Sequence, residues 1–250
     1  MNSTRILEVP IPLRRGAHTG FPKQAKSGAL ILDYMPKHLG YANLENLAVL
    51  DVGCGSKFTQ AILYQGIPIG RYVGIDVFKE LMEFLQAEVA DERFEFHHVD
   101  IHNEMYNPDG MPLSELGAFP LPDASFDIIC LYSVFTHLAP HDYPAMLRLL
   151  RPLIKPDGKI MYSLFVNELT EGGYGLCDFL SKSPMYGTKI RQGDTVPEFV
   201  DVDRENPLKW AVYSRDFALS LVHGTGWEVE SLSNPIVDGQ IQHHIVCRPV

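Results

Sequence analysis

Three carboxylates stand at or near the ends of three apolar runs. Asp51 lies in Val49-Leu50-Asp51-Val52-Gly53-Cys54-Gly55, Asp76 closes Tyr72-Val73-Gly74-Ile75-Asp76, and Asp100 follows Phe96-His97-His98-Val99. The first run breaks into Gly53 and Gly55, where the absence of a Cβ permits a positive φ and lets a ligand come close to the backbone. An acid about 20 residues beyond such a turn can accept both hydroxyls of a ribose. Asp76 is placed for that role, and its alternative is to cap the helix that follows. A fourth apolar run, Ile128-Ile129-Cys130-Leu131-Tyr132, is followed closely by His137. Histidine titrates near neutrality and serves as a general base. The competing role for His137 is structural: capping a helix near His141 or packing under its own loop.

These residues need a sheet to bring them together. The runs at 47–52, 71–76, 94–101 and 128–132 read as strands, the first and fourth apolar enough to be buried on both faces. Residues 58–64, 78–90 and 143–154 read as the helices between them. The first strand, glycine turn and helix make the opening of a nucleotide-type βαβ unit, with the helix N-terminus suited to a polar or anionic group. Upstream, residues 1–22 read as an extended arm and 24–36 as a helix that Pro36 and Gly40 end. Residues 103–121 read as a loop with one helical turn at 113–116. Lys155-Pro156-Asp157-Gly158-Lys159 reads as a turn before a strand at 160–165.

Residues 166–208 break the pattern, with glycines and prolines interleaved with Tyr174, Phe179, Tyr186 and Phe199. A loop-rich stretch of that length is usually functional. It reads as an acceptor-side insertion or as an oligomer contact, which would make a homodimer. Ser214 then caps a helix over 215–223, ended by Gly224 and Gly226. Strands at 227–232 and 240–247, joined through Asn234-Pro235 and Asp238-Gly239, imply an antiparallel last strand.

The totals bound the function. The 250 residues suit one α/β domain, and 46% hydrophobic residues allow a sizeable core. A net charge of −10 and a pI near 5.4, with no Lys/Arg cluster beyond Arg14-Arg15, argue against a phosphate-backbone partner. Cys54, Cys130, Cys177 and Cys247 show no CxxC spacing, which suits reduced thiols and a cytoplasmic location. No apolar run reaches about 18 residues and no signal pattern opens the chain, so no stable membrane insertion is expected.

The order acid-x-Gly-x-Gly at Asp51, Gly53 and Gly55 resembles motif I of the class I S-adenosylmethionine-dependent methyltransferases. A dinucleotide fingerprint would place a third glycine at Phe58. The family usually has another at position 57, and this chain has Lys57. Phe126-Asp127-Ile128-Ile129 with Ser133-Val134-Phe135-Thr136-His137-Leu138 resembles the family's fourth motif, and 155–165 its fifth element. The resemblance spans about 47–165.

It implies a Rossmann-like α/β fold: a seven-stranded mixed sheet, last strand antiparallel, helices on both faces, and a loop-rich insertion before the last helix and two strands. As one domain, this divides into an arm and cofactor-covering helix (1–40), a cofactor-binding core (47–165), the insertion (166–208) and a closing helix and strand pair (209–250). The implied cofactor is S-adenosyl-L-methionine. Asp51, Gly53, Cys54 and Gly55 would hold its amino-acid end. Asp76 with Val77 would take the ribose, and Asp100 with Ile101 the adenine. Leu131, Tyr132 and Ser133 would flank the sulfonium.

Methyl transfer from a sulfonium needs chiefly alignment and exclusion of water. A hydroxyl acceptor must also lose its proton, the role open to His137 as catalytic base. Asn167 and Glu168 follow the fifth strand, where divalent-metal O-methyltransferases carry ligands. They and Tyr106 are candidate substrate contacts, and Mg²⁺ stays open as a second cofactor. Asp142 and His243-His244 are further candidates to reach the site, each with a solvated-loop alternative.

The amino-methyltransferase tetrapeptide and the Pro-Cys pair of cytosine enzymes are absent, which with the acidic charge disfavours nucleic acid. Tyr106-Asn107-Pro108, the Ser133–Leu138 segment and the insertion resemble bacterial methyltransferases associated with polysaccharide or glycolipid synthesis. The expected reaction is O-methylation of a sugar, oligosaccharide or similar small polar acceptor. A small-molecule N- or C-methyltransferase, a non-catalytic S-adenosylmethionine-binding protein and an NAD-binding oxidoreductase are the alternatives.

Overall fold

The computed structural model describes residues 5–14, 21–168, 176, 198–202, 208–234 and 241–250. Cys177, the insertion's Tyr174, Phe179 and Tyr186, and the Asp238-Gly239 turn lie outside them.

The sheet is built around β1 (Leu44–Val52). It pairs in parallel with β2 (Ile69–Asp76) on one side and β4 (Phe126–Leu131) on the other. The order continues outward to β3 (Phe94–His98) and to β5 (Ile154–Val166). β5's far edge is shared. β9 (His243–Pro249) lies antiparallel along Ile160–Leu164, and β7 (Ala211–Tyr213) runs parallel beside Phe165 and Val166. β8 (Trp227–Ser233) pairs antiparallel with β9, and β6 (Phe199–Asp201) with β7. The expected seven strands and antiparallel last strand are present. The short pair β6–β7, out of the segment read as insertion, extends the sheet.

Side-chain alternation sends the sheet's apolar residues into two cores. Leu50, Val52, Ile129 and Leu131 pack beneath α4 (Asp142–Leu150) and α5 (Arg215–Ser220). Val49, Tyr72, Ile128 and Cys130 pack beneath α1 (Lys23–His38), α2 (Lys57–Gln65) and α3 (Lys79–Glu88). Burying each large apolar side chain contributes roughly 1.5–3 kcal/mol, which is what holds the helical layers on the sheet. The same alternation places Asp51 on the face with Tyr72 and Cys130. Among the described residues no helix is long and apolar enough to cross a membrane.

Several boundaries differ from expectation. α1 runs through Pro36 to His38, because a proline in the last turn removes one N–H without ending the helix. β3 stops at His98, so Asp100 sits in the following loop. α4 ends at Leu150, and a 3₁₀ turn at Arg151–Leu153 holds Pro152. The expected turn at 155–159 is an irregular stretch inside β5. Pairing jumps from Phe126↔Ile154 to Ile128↔Lys159, and Lys155 Nζ reaches Asp127 Oδ2 at 2.8 Å. α5 stops at Ser220, and Gly224 and Gly226 both take positive φ in the turns beyond it.

Candidate active site

The glycine turn is pinned from the strand beside it. Gly53 (φ 68°) and Cys54 donate their N–H groups to the Ile75 carbonyl at 2.8 and 3.1 Å. Gly55 (φ 49°) donates to Asp76 Oδ2 at 2.9 Å, while Phe78 N–H donates to Asp76 Oδ1 at 3.0 Å. One carboxylate therefore ties the turn after β1 to the start of α3. The alternative for Asp76, capping that helix, is not what the structure shows: the N-cap is Phe78, without a side-chain cap bond, and Asp76 holds the Phe78 N–H just outside the helix. A Cβ on Gly53 would lie 2.6 Å from Val134 Cγ2, so glycine is required there for contact as well as conformation.

Asp51 lies beneath this turn, almost fully buried. The Tyr72 hydroxyl donates to its Oδ2 at 2.6 Å, and Cys130 Sγ lies 3.6 Å from Oδ1. Burial pushes the carboxyl up to about 7, against those two hydrogen bonds and the nearby Lys57 charge.

A cavity of about 480 Å³ opens over the turn. Asp51, Gly53, Cys54, Gly55, Asp76 and Val77 form its floor and one side. Ile101 and Tyr106 form another, and Tyr132, Ser133 and His137 the third. Four of the predicted site residues lie off it. Asp100 is exposed and accepts from Asn107 Nδ2 at 2.9 Å. Leu131 is fully buried in the core under the sheet. The Asn167 N–H donates to the Tyr213 carbonyl, and Glu168 Oε2 accepts the first N–H of α5, from Arg215, at 2.8 Å.

The structure also adds cavity residues that were not singled out as contacts: Val9 and Arg14 of the arm, Lys23, Gln24 and Ser27 at the start of α1, and Lys57. The signal for Lys57 was its place in the glycine motif. The arm residues carried none, because only the tertiary fold brings them over the turn.

His137 ends a 3₁₀ turn (Phe135–His137) that follows Ser133, a non-glycine residue at φ 64°. That backbone is held by Ser163 Oγ, which accepts the Ser133 N–H at 2.8 Å. His137 Nδ1 lies 3.0 Å from the Leu208 carbonyl oxygen. A carbonyl only accepts, so Nδ1 carries the proton and Nε2 carries the lone pair. Burial lowers the His137 pKa below its ordinary 6.5, with the backbone contacts to Leu208 and Lys209 acting against this. Burial thus favours the neutral ring, and the Leu208 contact favours the Nδ1–H tautomer.

Among the described residues no three His, Cys, Asp or Glu side chains stand close enough to hold an ion. Glu168 is occupied at α5. His243 and His244 are buried in β9, His244 facing the Tyr132 ring at 6.0 Å with its pKa lowered to about 4 chiefly by burial. Asp142 lies 3.4 Å from His141. His97 lies 2.6 Å from Glu95.

Residues 50–162 match a family model described as a methyltransferase domain. An uncharacterised methyltransferase of Schizosaccharomyces pombe is 30% identical over 112 residues, 45% of this chain and 37% of that protein. The chain thus aligns with well under half of that relative's length. A Pyrococcus horikoshii protein of known structure superposes with a TM-score of 0.58 at 15% identity, over 92% of both chains. The 1,6-didemethyltoxoflavin-N1-methyltransferase of Burkholderia thailandensis, solved with its substrate and S-adenosylhomocysteine, gives a TM-score of 0.54 at 18% identity, over 91% of this chain and 78% of that one. Residues 50–162 are thus similar to a methyltransferase domain, and the solved structures share the fold of the whole described chain.

Proposed function

We propose that the chain is an S-adenosylmethionine-dependent O-methyltransferase acting on a hydroxyl of a sugar, oligosaccharide or similar small polar acceptor, with His137 as general base. The observation that carries this reading is His137 lining the cavity, with Nδ1 held by the Leu208 carbonyl and burial favouring the neutral ring.

The residues present fit the cofactor. The Gly53–Gly55 turn leaves backbone exposed where a Cβ would fill the space. Asp76 offers an acceptor for a ribose, Ile101 an apolar contact for a base, and Asp51 an acceptor for an ammonium. When bound, S-adenosylmethionine supplies a methyl group already activated by the sulfonium charge. His137 Nε2 takes the acceptor's proton as the C–O bond forms, which keeps the oxygen nucleophilic at neutral pH. Tyr132, Val134 and Leu138 line the cavity along with His137 and would limit water beside the methyl group. Tyr106 and Phe119 line the cavity together with the polar His102 and Asn103. That mixture supports a sugar-like ligand.

The experiment is transfer of labelled methyl groups into fractionated polysaccharides and metabolites, with mass spectrometry of the product. A methylated hydroxyl is the expected result. A methylated nitrogen or carbon would move the reading to an N- or C-methyltransferase, and no transfer to any fraction would favour a binding protein.

A further inference from the structure

Lys57 is the residue that breaks the glycine motif, and its position has a chemical consequence. It is the first residue of α2 and borders the cavity. Its stem is held in place: a Cβ on Gly28 would come within 2.6 Å of the Lys57 carbonyl oxygen and 3.1 Å of its Cγ, so α1 packs directly on it. Its Nζ lies 5.0 Å from the centre of the Tyr132 ring. Burial pulls its pKa down, and the charge of Asp51 pulls it back. Among the described residues Nζ makes no hydrogen bond or ion pair, so the Tyr132 ring and the charge of Asp51 are what it interacts with. A half-desolvated ammonium with three donors and no acceptor is an incomplete arrangement.

Two other cations border the same cavity. Arg14 donates its Nε to the Val9 carbonyl at 2.8 Å, and Lys23 is exposed to solvent. Arg14 is half-buried like Lys57 but already committed at Nε, and an ion pair formed out of water is worth more than one at the surface. Lys57 also stands beside Asp51, a buried carboxylate on the same cavity wall. An opposite pair of this kind complements a ligand that carries an ammonium and a carboxylate on neighbouring atoms.

We propose that Lys57 is a specificity residue that reads the carboxylate of an α-amino-acid group, while Asp51 beside it accepts the ammonium. This rests on the methyl-donor reading of the cavity and assigns the donor's amino-acid end to that pair. A glycine at position 57 could offer only its backbone. Lysine instead makes binding depend on the ligand's carboxylate, and so discriminates against adenosyl compounds that lack one.

The test is calorimetric titration of three ligands: S-adenosylhomocysteine, its decarboxylated amine and 5′-methylthioadenosine. Each is titrated into the wild-type chain, Lys57→Met and Lys57→Arg. The charge-assisted bond predicts that Lys57→Met weakens S-adenosylhomocysteine by about 10- to 100-fold. The two ligands without a carboxylate should change by no more than about 2-fold. Lys57→Arg should recover most of the loss. Equal weakening of all three ligands, or no weakening of any, overturns the assignment. Methionine keeps the stem that packs on Gly28; if its ligand-free melting temperature drops, Lys57→Gln is titrated in its place against the same criteria. A wild-type chain that binds none of the three ligands overturns the donor reading itself, whereas a Lys57→Met chain that binds S-adenosylhomocysteine at full strength overturns only the role of Lys57.

Discussion

His137 Nδ1 donates to the carbonyl of Leu208 at 3.0 Å, across a sequence gap that spans most of the insertion. Leu208 is held in turn, at φ 55°, by its own N–H, which donates to Asp201 Oδ2 at 2.9 Å. A bulky residue in the left-handed region costs roughly 1–2 kcal/mol and persists only where its surroundings enforce it. That outlay fixes the tautomer of His137, the histidine proposed as base.

His137→Ala should therefore separate binding from turnover. We expect kcat to fall by about 10²- to 10⁴-fold, the usual worth of a general base. S-adenosylhomocysteine affinity should change little. In the wild-type enzyme the base must be unprotonated to act, and burial holds its pKa below 6.5. Activity should thus be level through neutrality and fall only as pH drops through that lowered value. Unchanged turnover in the variant removes His137 from the mechanism.

Gly53 and Gly55 should fail differently. Both have positive φ, but a Cβ at Gly53 meets Val134 Cγ2, whereas one at Gly55 meets no atom within 4 Å. Gly53→Ala adds that collision to the conformational cost of about 1–2 kcal/mol. At about 2 to 4 °C per kcal/mol for a chain of this size, it should melt several degrees below Gly55→Ala. Gly55→Ala should lose affinity for adenosyl ligands beyond its modest drop in stability. Thermal melts and titrations of the two variants check both statements.

Asp51 makes stability depend on pH in a stated direction. Its folded pKa, about 7, lies above the ordinary 3.8, so between those values the native state binds more protons than the unfolded chain. Its contribution is complete below about pH 4 and is lost as pH rises through 7. Asp51→Asn, which keeps an acceptor for Tyr72, should flatten the fall in melting temperature between pH 5 and pH 8. A wild-type and variant with parallel pH profiles would contradict this.

Glu168 belongs to stability rather than to metal chemistry. Its carboxylate satisfies the first N–H of α5, a group that otherwise lacks a partner within the helix. Glu168→Ala should lower stability by about 0.5–2 kcal/mol, as loss of a cap does. Turnover should be the same before and after dialysis against EDTA. A loss restored by Mg²⁺ would contradict this.

What the chain spelled out was local. Gly53, Gly55 and Asp76 announced the turn and its acid, because positive φ and strand-end carboxylates leave their mark on a few adjacent residues. Ser214 announced its helix, and its Oγ does accept from Phe217 N–H. Asp100 looked equivalent to the other two acids, but β3 ends early and Asn107, from the following loop, takes its carboxylate. Glu168 offered the right ligand type, yet the helix end it meets is 47 residues away in sequence. The family resemblance suggested a helix over the turn, but which residues it and the arm would bring there, Lys23 and Arg14 among them, no spacing records. His137 lay between these cases. Its position after the fourth strand was legible, and the Leu208 contact that sets its tautomer was not.

The most direct measurement is calorimetric titration of the unmodified chain with S-adenosylhomocysteine. A cavity floored by Asp51, the Gly53–Gly55 turn and Asp76 predicts saturable, one-to-one binding that Gly53→Ala weakens. No heat at millimolar ligand would contradict the account.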